Sequence, residues 1–534
     1  MQAYMGRWVA ILRDTDQVVG TGLTGPEALR QGRRNRPRTK LEIQYVPDLS
    51  GEPLMLSSIL KELSRALSRI DQPVYLVGGA VRDALIGKVS HDVDLVVPKN
   101  GIKVAYQIGD FLRVPAFVLD EERDVGRVVL KESETYLDIA AYRADTLEGD
   151  LLDRDFAFNA MALPALAQTS AELIDPLNGF DDIKNGRLRP TGPNALSNDP
   201  IRVLRGVRMG LKYQLKPDDK TIQLMGEAIE NLNRVSAERV RDELLNILNV
   251  DGAGGLEHLR TYGLLPSVLP EINKTISVKQ TAPHFEPVFE HTVSVLRWLQ
   301  KLLRGEALKD WFAPILEQTN THLDRKITGE RHGRDLILLA ALYHDVGKPR
   351  TQTFEKNDDG IERIRFFQHD QVGAKEAEKR LKFFKLSSEA VKHTVATVDG
   401  HMRPLLFAAQ EAVTVRAKHR FWKKYKTAGL DICLLAIADH LATFNGIGDE
   451  DEWNQFSGTV TDLLDHWFNI ENPVIKQPPL VTGRDLMQGL KMKGGPEIGR
   501  LLVQLEEAQV AGEISTLAEA LALAEQLVNR PSDQ

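Results

Sequence analysis

The letters His-Asp-Val occur twice in this chain, in SHDVDLVV (Ser90–Val97) and in YHDVGK (Tyr343–Lys348), within different surroundings. In the first stretch, Asp92 and Asp94 lie two positions apart in an apolar run. Because residues i and i+2 of a strand share one face, the two carboxylates project together. A divalent, oxygen-seeking cation relieves their repulsion. The pair therefore predicts a catalytic Mg²⁺ site, in which His91 takes no part.

A glycine pair precedes these carboxylates. The predicted order is a strand, Gly78 and Gly79, a short helix with Arg82 and Asp83, and then the carboxylate strand. Glycines before a helix let phosphate groups approach backbone N–H groups at the helix N-terminus. Together these parts predict metal-assisted attack of a 3′-hydroxyl on a nucleoside triphosphate. The alternative, a solvated acidic loop, is disfavoured by the strand-forming Leu-Val-Val that follows the pair.

The second stretch predicts a different metal site. His344 and Asp345 are adjacent at the end of a helical-looking apolar run, and His291 and Asp439 lie on apolar helical segments upstream and downstream. A mixed imidazole and carboxylate set suits Mn, Fe, Co, Ni or Zn better than Mg alone. The expected reaction is hydrolysis of a phosphoester by metal-activated water. Lys348, just after the turn, is placed to meet a substrate phosphate.

Length and composition limit the class of protein that can position these groups. A chain of 534 residues is too long for one core, and 42% hydrophobic with 27% charged residues is ordinary for a soluble globular protein. No run reaches the roughly 18 apolar residues of a membrane span, and the N-terminus lacks a signal peptide. Cys433 is the only cysteine, which excludes a disulfide framework and indicates a cytoplasmic location.

The net charge of −7 does not indicate nucleic-acid binding, but two local stretches are basic. They are Ala28–Lys40 and Arg416–Lys426, and the second interleaves three aromatic residues with cations, a composition suited to stacking bases beside phosphates. A solvated helix face or loop is an equal alternative for both stretches.

Hydrophobic periodicity predicts two strands, a helix and a third strand within the first 50 residues, and an amphipathic helix over Leu54–Ile70. Strands recur from Val74 to Ala141, which predicts a mixed sheet with helices on it. The rest of the chain is largely helical, apart from a hairpin in EKNDDGIERIRFF (Glu355–Phe367) and a linker, NPVIKQPP. Asp138, on one predicted strand, is a candidate third carboxylate with Arg143 nearby, and a structural role is an equal alternative.

The stretch YLVGGAVRDALIG…HDVDLVV resembles the head of class II tRNA nucleotidyltransferases and bacterial poly(A) polymerases. Four motifs follow in that family's order: DRDFAFNAMAL for ribose recognition, DPLNGFDDIKNGRLR as connector, NDPIRVLRGVRMG for reading the incoming base, and SAERVRDELLNIL as neck helix. The resemblance implies a nucleotidyltransferase fold. It also implies nucleotide binding by Gly78, Gly79, Arg82, Asp83, Arg154, Asp155, Asn159, Asp199, Arg202, Arg205 and Arg208.

The base-reading idea also rests on chemistry. A carboxylate accepts from an exocyclic amine and a guanidinium donates to ring acceptors, so Asp199 and Arg202 could select C and A without a template. Their i, i+3 spacing predicts that both lie on one helix face, where an ordinary salt bridge is the alternative. Three positions depart from the family pattern, which leaves the fine choice of nucleotide open: Asp153, Ala157 and Asn198.

The order His…His-Asp…Asp resembles the HD phosphohydrolase domain, which many class II tRNA nucleotidyltransferases carry. His369 and His401 match positions that supply a second metal's ligands in some members. The resemblance implies 2′,3′-cyclic phosphates or 2′-phosphates at RNA ends as substrates. Pro479–Thr516 resembles the C-terminal RNA-binding helical segment of long bacterial members, and a simple helix-packing module is the alternative.

The sequence therefore predicts a multidomain α+β protein with five parts: a small ββαβ module (1–50), a nucleotidyltransferase head with a mixed sheet (51–190), a helical neck and RNA-binding region (191–275), an all-α HD phosphohydrolase domain (276–470) and a helical RNA-binding tail (471–534). The predicted function is template-independent addition of C and/or A to tRNA 3′ ends from CTP and ATP, with an accessory phosphohydrolase.

Two alternatives stay open. One is a poly(A) polymerase with the same head, against which the acidic total charge and the short tail argue. The other is an HD phosphohydrolase whose head has become an RNA-binding module, against which the intact glycine and carboxylate motifs argue. Mg²⁺ is expected in the head and Mn, Ni, Co, Fe or Zn in the HD domain, with tRNA or another RNA 3′ end as partner and no membrane. The oligomeric state and the role of residues 1–50 stay open.

Overall fold

The computed structural model describes residues 2–13, 15, 17–90, 92–130, 135–328, 331–356, 362–410, 412–471 and 478–529. The chain divides into two compact units, Met1–Val235 and Ser236–Gln534. His91 and residues 472–477 of the predicted linker lie outside the described residues.

The N-terminal residues form an antiparallel three-stranded sheet covered by one helix. Its elements are β1 (Arg7–Leu12), β2 (Val18–Gly22), α1 (Gly25–Asn35) and β3 (Leu41–Val46). The strand order β2-β1-β3 confirms the predicted ββαβ pattern. Thr24 caps α1 by accepting from the backbone N–H of Glu27. Gly20 lets the helix lie close to the sheet, since a Cβ there would come within 2.4 Å of the carbonyl O of Ala28.

This N-terminal module shares its core with the sheet that follows it. Trp8 is buried in the same hydrophobic cluster as the central strands of the head. The hydroxyl of Tyr45 donates to Glu172, and the hydroxyl of Thr169 donates to the carbonyl O of Asp48 at 2.6 Å. These contacts hold the module against residues that lie far along the chain.

The single amphipathic helix predicted over Leu54–Ile70 is wrong in extent. The structure has two short helices there, α2 (Ile59–Glu62) and α3 (Ser64–Leu67). The preceding residues are extended because the head takes up their backbone groups: the N–H of Leu54 donates to the carbonyl O of Gln168 at 3.0 Å. A tertiary hydrogen bond therefore overrides the local helical pattern.

A mixed six-stranded sheet forms the head, as predicted. Its strands lie in the order β6-β7-β8-β5-β4-β9, with β5 parallel to β8 and the other pairs antiparallel. The elements of the rest of the first unit are β4 (Tyr75–Val77), α4 (Gly79–Leu85), β5 (Asp92–Val97), α5 (Gly101–Leu112), β6 (Ala116–Asp120), β7 (Val125–Leu130), β8 (Thr135–Ala141), α6 (Leu147–Leu152), β9 (Ala162–Pro164), α7 (Gly179–Lys184), β10 (Arg187–Leu188), α8 (Ala195–Asn198), α9 (Ile201–Tyr213), β11 (Lys216–Pro217) and α10 (Asp219–Ile229).

The second unit is largely helical and begins with the predicted neck helix, which Ser236 caps. The predicted hairpin is confirmed by the pairing of β14 with β15. The elements are α11 (Ala237–Thr261), α12 (Leu265–Val268), α13 (Pro270–Asn273), α14 (Val288–Leu303), α15 (Lys309–Asp324), β12 (Lys326–Thr328), β13 (Arg331–His332), α16 (Gly333–Tyr343), α17 (Lys348–Thr351), β14 (Gln352–Lys356), β15 (Glu362–Phe366), α18 (His369–Phe383), α19 (Ser388–Gly400), α20 (Arg403–Ala408), α21 (Val415–Tyr425), α22 (Ala428–Phe444), α23 (Glu450–Asp465), a π-helical turn (His466–Glu471), α24 (Gly483–Gly489), α25 (Pro496–Val510) and α26 (Leu517–Asn529).

Among the described residues, no single helix combines the length and the apolar composition of a membrane span. The helices α21 and α22, bent by 108° at their junction, do so only jointly.

The basic stretch on α21 does not offer its aromatic rings for stacking. Phe421, Trp422 and Tyr425 are buried in the core of the second unit, and the indole N–H of Trp422 donates to a backbone carbonyl. Arg420 donates both to Oε1 and to Oε2 of Glu507 on α25, at 2.7 and 2.8 Å. The base-stacking interpretation of this stretch is therefore wrong, because the helix instead fastens the C-terminal helices to the core.

Candidate functional site

The predicted carboxylate pair lies at the start of β5. Asp92 and Asp94 are solvent-accessible and Val93 between them is buried, as the strand period of two requires. The parallel register of β5 and β8 sets Asp138 directly beside Asp94. Three carboxylates therefore line one side of two neighbouring strands.

Asp138 forms an ion pair with Arg127, whose Nε and Nη2 donate to its two oxygens at 2.7 Å each. Although solvent reaches Asp94, the protein atoms packed around it raise the pKa of its carboxyl; Arg154 opposes this effect, and the charges of Asp138 and Asp92 add to it. A hard divalent cation held by the two oxygen donors on β5 would offset this penalty. The residues present thus fit Mg²⁺.

Gly78 brings its backbone to the carboxylates. Its φ of 68° and ψ of −131° lie in a region that favours glycine. A Cβ at this position would lie 3.1 Å from Nη1 of Arg154 and 3.6 Å from Oδ2 of Asp94. The glycine pair therefore borders the carboxylate pair directly, where the sequence predicts that phosphates approach.

Arg82 is buried and belongs to a network of predicted nucleotide-binding residues. Its Nε donates to Asp83 at 2.9 Å and its Nη1 donates to Oδ1 of Asn159 at 2.6 Å. The guanidinium also lies 4.1 Å from the ring centre of Tyr213, whose hydroxyl donates to Asp83 at 3.2 Å. Tyr213 was not predicted, and its burial raises the pKa of its hydroxyl to about 12.

Arg154 and Arg143 share a buried acceptor. Nη2 of Arg154 donates to Oδ2 of Asp150 at 2.9 Å, and the backbone N–H of Arg143 donates to Oδ1 at 3.1 Å. Burial, together with the charge of Arg154, lowers the pKa of the Arg143 guanidinium. Asp150 thus fixes the guanidinium of Arg154 and the backbone of Arg143, and two cationic residues placed side by side suit a polyanionic ligand. Nearby, the buried Asp155 lies 3.3 Å from Arg205, which shares α9 with the half-buried Arg208.

The predicted base-reading pair does not lie on one helix face. Asp199 precedes α9 with an extended backbone, φ −143° and ψ 95°. Pro200 follows it, and a proline disfavours the helical conformation of the residue before it. Arg202, in the first turn of α9, is buried and donates to three backbone carbonyl oxygens at 2.8–3.1 Å. The i, i+3 helical geometry is therefore wrong, although Arg202 does contact the loop that carries Arg154.

The second predicted site lies in the second unit and contains imidazoles with a common orientation. His344, His369 and His401 each place Nδ1 at 2.7–2.8 Å from the carbonyl O of the residue three positions earlier. Because a carbonyl only accepts, Nδ1 carries the proton and Nε2 presents a lone pair. This is the orientation of a metal-binding histidine.

These Nε2 atoms converge on the buried Asp345. Its oxygens lie 3.3 Å from Nε2 of His344, 3.4 Å from that of His369 and 4.0 Å from that of His401. Nε2 of His344 is buried and has no hydrogen-bond partner among the described residues, and those of His369 and His401 lie 3.2 Å apart. Two facing lone pairs repel each other, whereas nitrogens bound at about 2.0–2.1 Å to one metal are naturally about 3 Å apart.

His291 and Asp439 complete the predicted set. Nε2 of His291 lies 2.8 Å from Oδ1 of Asp439 and 3.9 Å from Asp345. Burial opposes the charged form of Asp439, but the hydrogen bond and charge of His291 outweigh it and lower the pKa of that carboxyl. The structure thus brings all six predicted residues together: five form two groups that share Asp345, and Asp439 joins them through its contact with His291. This donor set fits one or two transition-metal ions.

Lys348 is buried beside the same carboxylate. Its Nζ lies 2.6 Å from Asp345 and donates to Gln280 at 2.6 Å. A cavity of about 420 Å³ opens in front of these groups, and it is large enough for a nucleotide. Cationic and aromatic side chains line it, among them Arg363, Arg365, Phe366 and Phe367.

His284, which the sequence did not single out, also lines this cavity. Its ring meets that of His291 edge-on, with 4.8 Å between centroids, and its Nδ1 lies 3.3 Å from the hydroxyl of Thr443. Burial lowers the pKa of His284 to about 4, so the ring is neutral near pH 7. No periodic signal marks it, because it lies in a loop before α14.

A third His and Asp group was also missed. His322 on α15 and His393 on α19 place Nε2 at 2.6 and 2.7 Å from the two oxygens of Asp431, which is fully buried on α22. Nη1 of Arg325 lies 3.5 Å from Nδ1 of His322. Since a guanidinium only donates, Nδ1 accepts and Nε2 donates to Asp431. This triad is therefore satisfied by hydrogen bonds, unlike the imidazoles around Asp345.

Three family models match the chain. The Poly A polymerase head domain matches residues 74–189, the probable RNA and SrmB-binding site of polymerase A matches residues 214–276, and the HD domain matches residues 288–443. The head-domain match contains the carboxylates of β5, and the HD-domain match contains the residues around Asp345.

Two of three similar proteins cover most of the chain, and the third covers about half of it. The A-adding tRNA nucleotidyltransferase of Deinococcus radiodurans is 33% identical over 454 residues, which are 84% of this chain and 94% of that protein. The CC-adding tRNA nucleotidyltransferase of Thermus thermophilus is 30% identical over 471 residues, 85% of this chain and 95% of that protein. A multifunctional CCA protein of Neisseria meningitidis is 33% identical over 279 residues, 49% of this chain and 64% of that protein.

Two solved structures share the fold. A CCA-adding enzyme in complex with ATP has a TM-score of 0.57 at 19% identity and covers 88% of this chain and 95% of its own. The Thermotoga maritima CCA-adding enzyme complexed with tRNA has a TM-score of 0.52 at 20% identity, again covering 88% of this chain and 95% of its own.

Proposed function

The chain belongs to the tRNA nucleotidyltransferase family, and we propose that it adds C and/or A to the 3′ end of tRNA from CTP and ATP, without a nucleic-acid template, in the cytoplasm. The observation that carries this proposal is the head site, where two accessible carboxylates on β5 border the backbone of Gly78 and the guanidinium of Arg154. Carboxylates for a metal and cations for a triphosphate are the two things that nucleotidyl transfer needs.

The reaction is displacement at the α-phosphorus of the incoming nucleotide. The 3′-oxygen of the RNA loses its proton and forms the new P–O bond, while the bond to pyrophosphate breaks. Mg²⁺ bound by Asp92 and Asp94 would favour the deprotonated 3′-oxygen and neutralise the triphosphate. Arg154 and Arg143 offset the charge that develops on the phosphates. The hydrogen bonds of Arg82 fix the positions of Asp83 and Asn159.

The relatives favour partial addition. Those that match along 94% and 95% of their own length are named A-adding and CC-adding, whereas the multifunctional CCA protein matches along 64% of its length. We therefore propose that the enzyme adds either CC or the terminal A. The buried Arg202 and the preceding Asp199 are the proposed readers of the incoming base, with Arg205 and Arg208 on the same helix.

The HD centre supports a second activity. His291, His344, Asp345 and Asp439, with His369 and His401, are proposed to hold one or two transition-metal ions, which when bound would polarise water for attack on a phosphoester. Lys348, placed by Asp345 at the edge of the cavity, is proposed to meet the substrate phosphate. The substrates proposed are cyclic or 2′ phosphates at RNA 3′ ends.

The test uses purified full-length protein, Mg²⁺ and two tRNA transcripts, one lacking CCA and one ending in CC. Each is incubated with CTP, ATP or both. CTP incorporation into the first or ATP incorporation into the second supports the proposal, and long A tails would support a poly(A) polymerase instead. Extension of neither transcript would refute transferase activity and leave the HD phosphohydrolase with an RNA-binding head.

Paired variants separate the two sites. Asp92→Asn with Asp94→Asn should abolish nucleotide addition and retain metal-dependent phosphatase activity, because the two sites use different residues. His344→Ala with Asp345→Ala should do the reverse. A folded double variant that lost both activities would contradict the two-site assignment.

A further inference from the structure

The basic stretch Ala28–Lys40 differs from the basic helix α21 in what surrounds it. Its last part, RRNRPRTK, holds five cations and no acidic residue in a chain of net charge −7. We call Arg33, Arg34, Arg36, Arg38 and Lys40 the basic patch. All five are exposed, and none forms an ion pair within the part of the chain that the structure describes.

The fold accounts for only part of this charge. Arg33 and Arg34 lie in the last turn of α1, where cations offset the partial negative charge of the helix end. Arg36, Arg38 and Lys40 lie beyond the helix and have no such role. By contrast, Arg30, one turn earlier, is paired with Asp71 at 2.7 and 3.0 Å and ties α1 to the head.

The basic patch borders a groove. A cavity of about 550 Å³ opens between α1 and β3, and Arg33, Lys40 and Arg13 line it together with the hydroxyl of Thr39. The only carboxylate among its lining residues is that of Glu42. Like charges held this close repel one another, and a bound polyanion removes that repulsion.

We propose that the basic patch binds the phosphodiester backbone of the RNA substrate. The proposal rests on the function proposed above, since that function supplies an RNA, and it assigns a role to a module that lies before the first matched family region, which begins at residue 74. The shared core and the contact between Thr169 and Asp48 fix the module to the head. Phosphate contacts made by the basic patch therefore increase the affinity of the head for the RNA.

The test measures the affinity for tRNA as a function of salt, from about 50 to 200 mM, because each neutralised phosphate contributes about 0.7–0.9 to the magnitude of the slope of log K against log [salt]. One variant replaces all five residues by Gln. A second variant replaces only Arg36, Arg38 and Lys40, which lie outside α1, so that the helix is preserved. In the matched control the four arginines become lysines, which keeps the charge.

If three cations of the basic patch contact phosphates, the magnitude of the slope should fall by about 2–3 in the five-residue Gln variant and stay near the wild-type value in the Lys control. A thermal melt and ATP binding verify that all three variant proteins are folded. Wild-type and Gln proteins with equal slopes and affinities would overturn the role of the basic patch and leave it a solvated surface. Absence of tRNA binding by the wild type would instead overturn the proposed function.

Discussion

Asp431 and Asp439 lie eight residues apart on α22, and each carboxylate lies within hydrogen-bond distance of an imidazole Nε2. The surroundings predict opposite roles for the two, since Asp439 contacts His291 beside the imidazoles whose lone pairs face Asp345, whereas Asp431 accepts from His322. Replacing each carboxylate by an amide, Asp431→Asn and Asp439→Asn, is therefore a matched comparison within one helix.

The expected cost of Asp431→Asn follows from its two hydrogen bonds. The amide keeps one acceptor oxygen and turns its NH₂ toward an imidazole N–H, so one charge-assisted bond is lost and one buried donor is left unpaired. Breaking a buried pair in this way costs about 3–5 kcal/mol. At about 2 °C per kcal/mol for a unit of this size, the melting temperature of the second unit should fall by about 6–10 °C.

Metal binding should be affected by Asp439→Asn and not by Asp431→Asn. After equilibrium dialysis against Mn²⁺ or Ni²⁺ at a temperature where both variants are folded, Asp431→Asn should retain the wild-type metal stoichiometry. Asp439→Asn should bind the metal more weakly by at least the roughly 10–100-fold that removal of an outer partner costs. Loss of metal from folded Asp431→Asn would refute the argument from imidazole orientation, because it would make the triad a ligand set.

Three further outcomes are expected. Gly78→Ala should abolish nucleotide addition, because its Cβ would enter the carboxylate site. Gly87 has a similar φ of 74°, and a Cβ there would meet no atom of the described residues within 4 Å, so Gly87→Ala should only lower stability by about 1 kcal/mol. Primer-extension assays and thermal melts distinguish the two variants. His322 and His393 lower the pKa of the Asp431 carboxyl despite its burial. The stabilisation by this carboxylate is therefore complete above the unfolded pKa of about 3.9 and is lost as the pH falls toward the folded pKa. The difference in urea midpoint between wild type and Asp431→Asn should shrink below about pH 4, and a constant difference would contradict this. A double-mutant cycle of Arg420→Gln and Glu507→Gln should give a coupling of about 1 kcal/mol or less, since the arginine is largely exposed, and urea titration of the full chain measures it.

Local periodicity was sufficient to find the carboxylate pair. A strand places i and i+2 on one face whatever its tertiary neighbours are, so Asp92 and Asp94 followed from a few letters of sequence. The alignment of Asp138 beside Asp94 did not, because it depends on which strands pair and in what register. Its pairing with Arg127 arises from the same long-range register and has no local signal.

One error had a signal in the sequence. Pro200 directly follows Asp199, and the restriction that a proline imposes on the residue before it excludes the helical geometry assumed for the base-reading pair. The triad of Asp431 had no such signal, since its members come from three helices and a lone histidine in an apolar helix is indistinguishable from an ordinary core residue. Burial and contact decide its role, and neither can be read from spacing.

The contacts that hold the N-terminal module to the head have a consequence for synthesis on the ribosome. The acceptors and donors that satisfy Tyr45, Asp48 and Glu52 lie at residues 169–172, separated by 127, 121 and 118 positions, respectively. At about 5–20 residues per second, the growing chain waits about 6–25 s for these partners to emerge. During that interval Trp8 lacks the head residues with which it shares a hydrophobic core. The module is thus completed only when synthesis has passed residue 172, although its own last strand ends at Val46. Nascent chains that stop between these two points are the expected clients of chaperones.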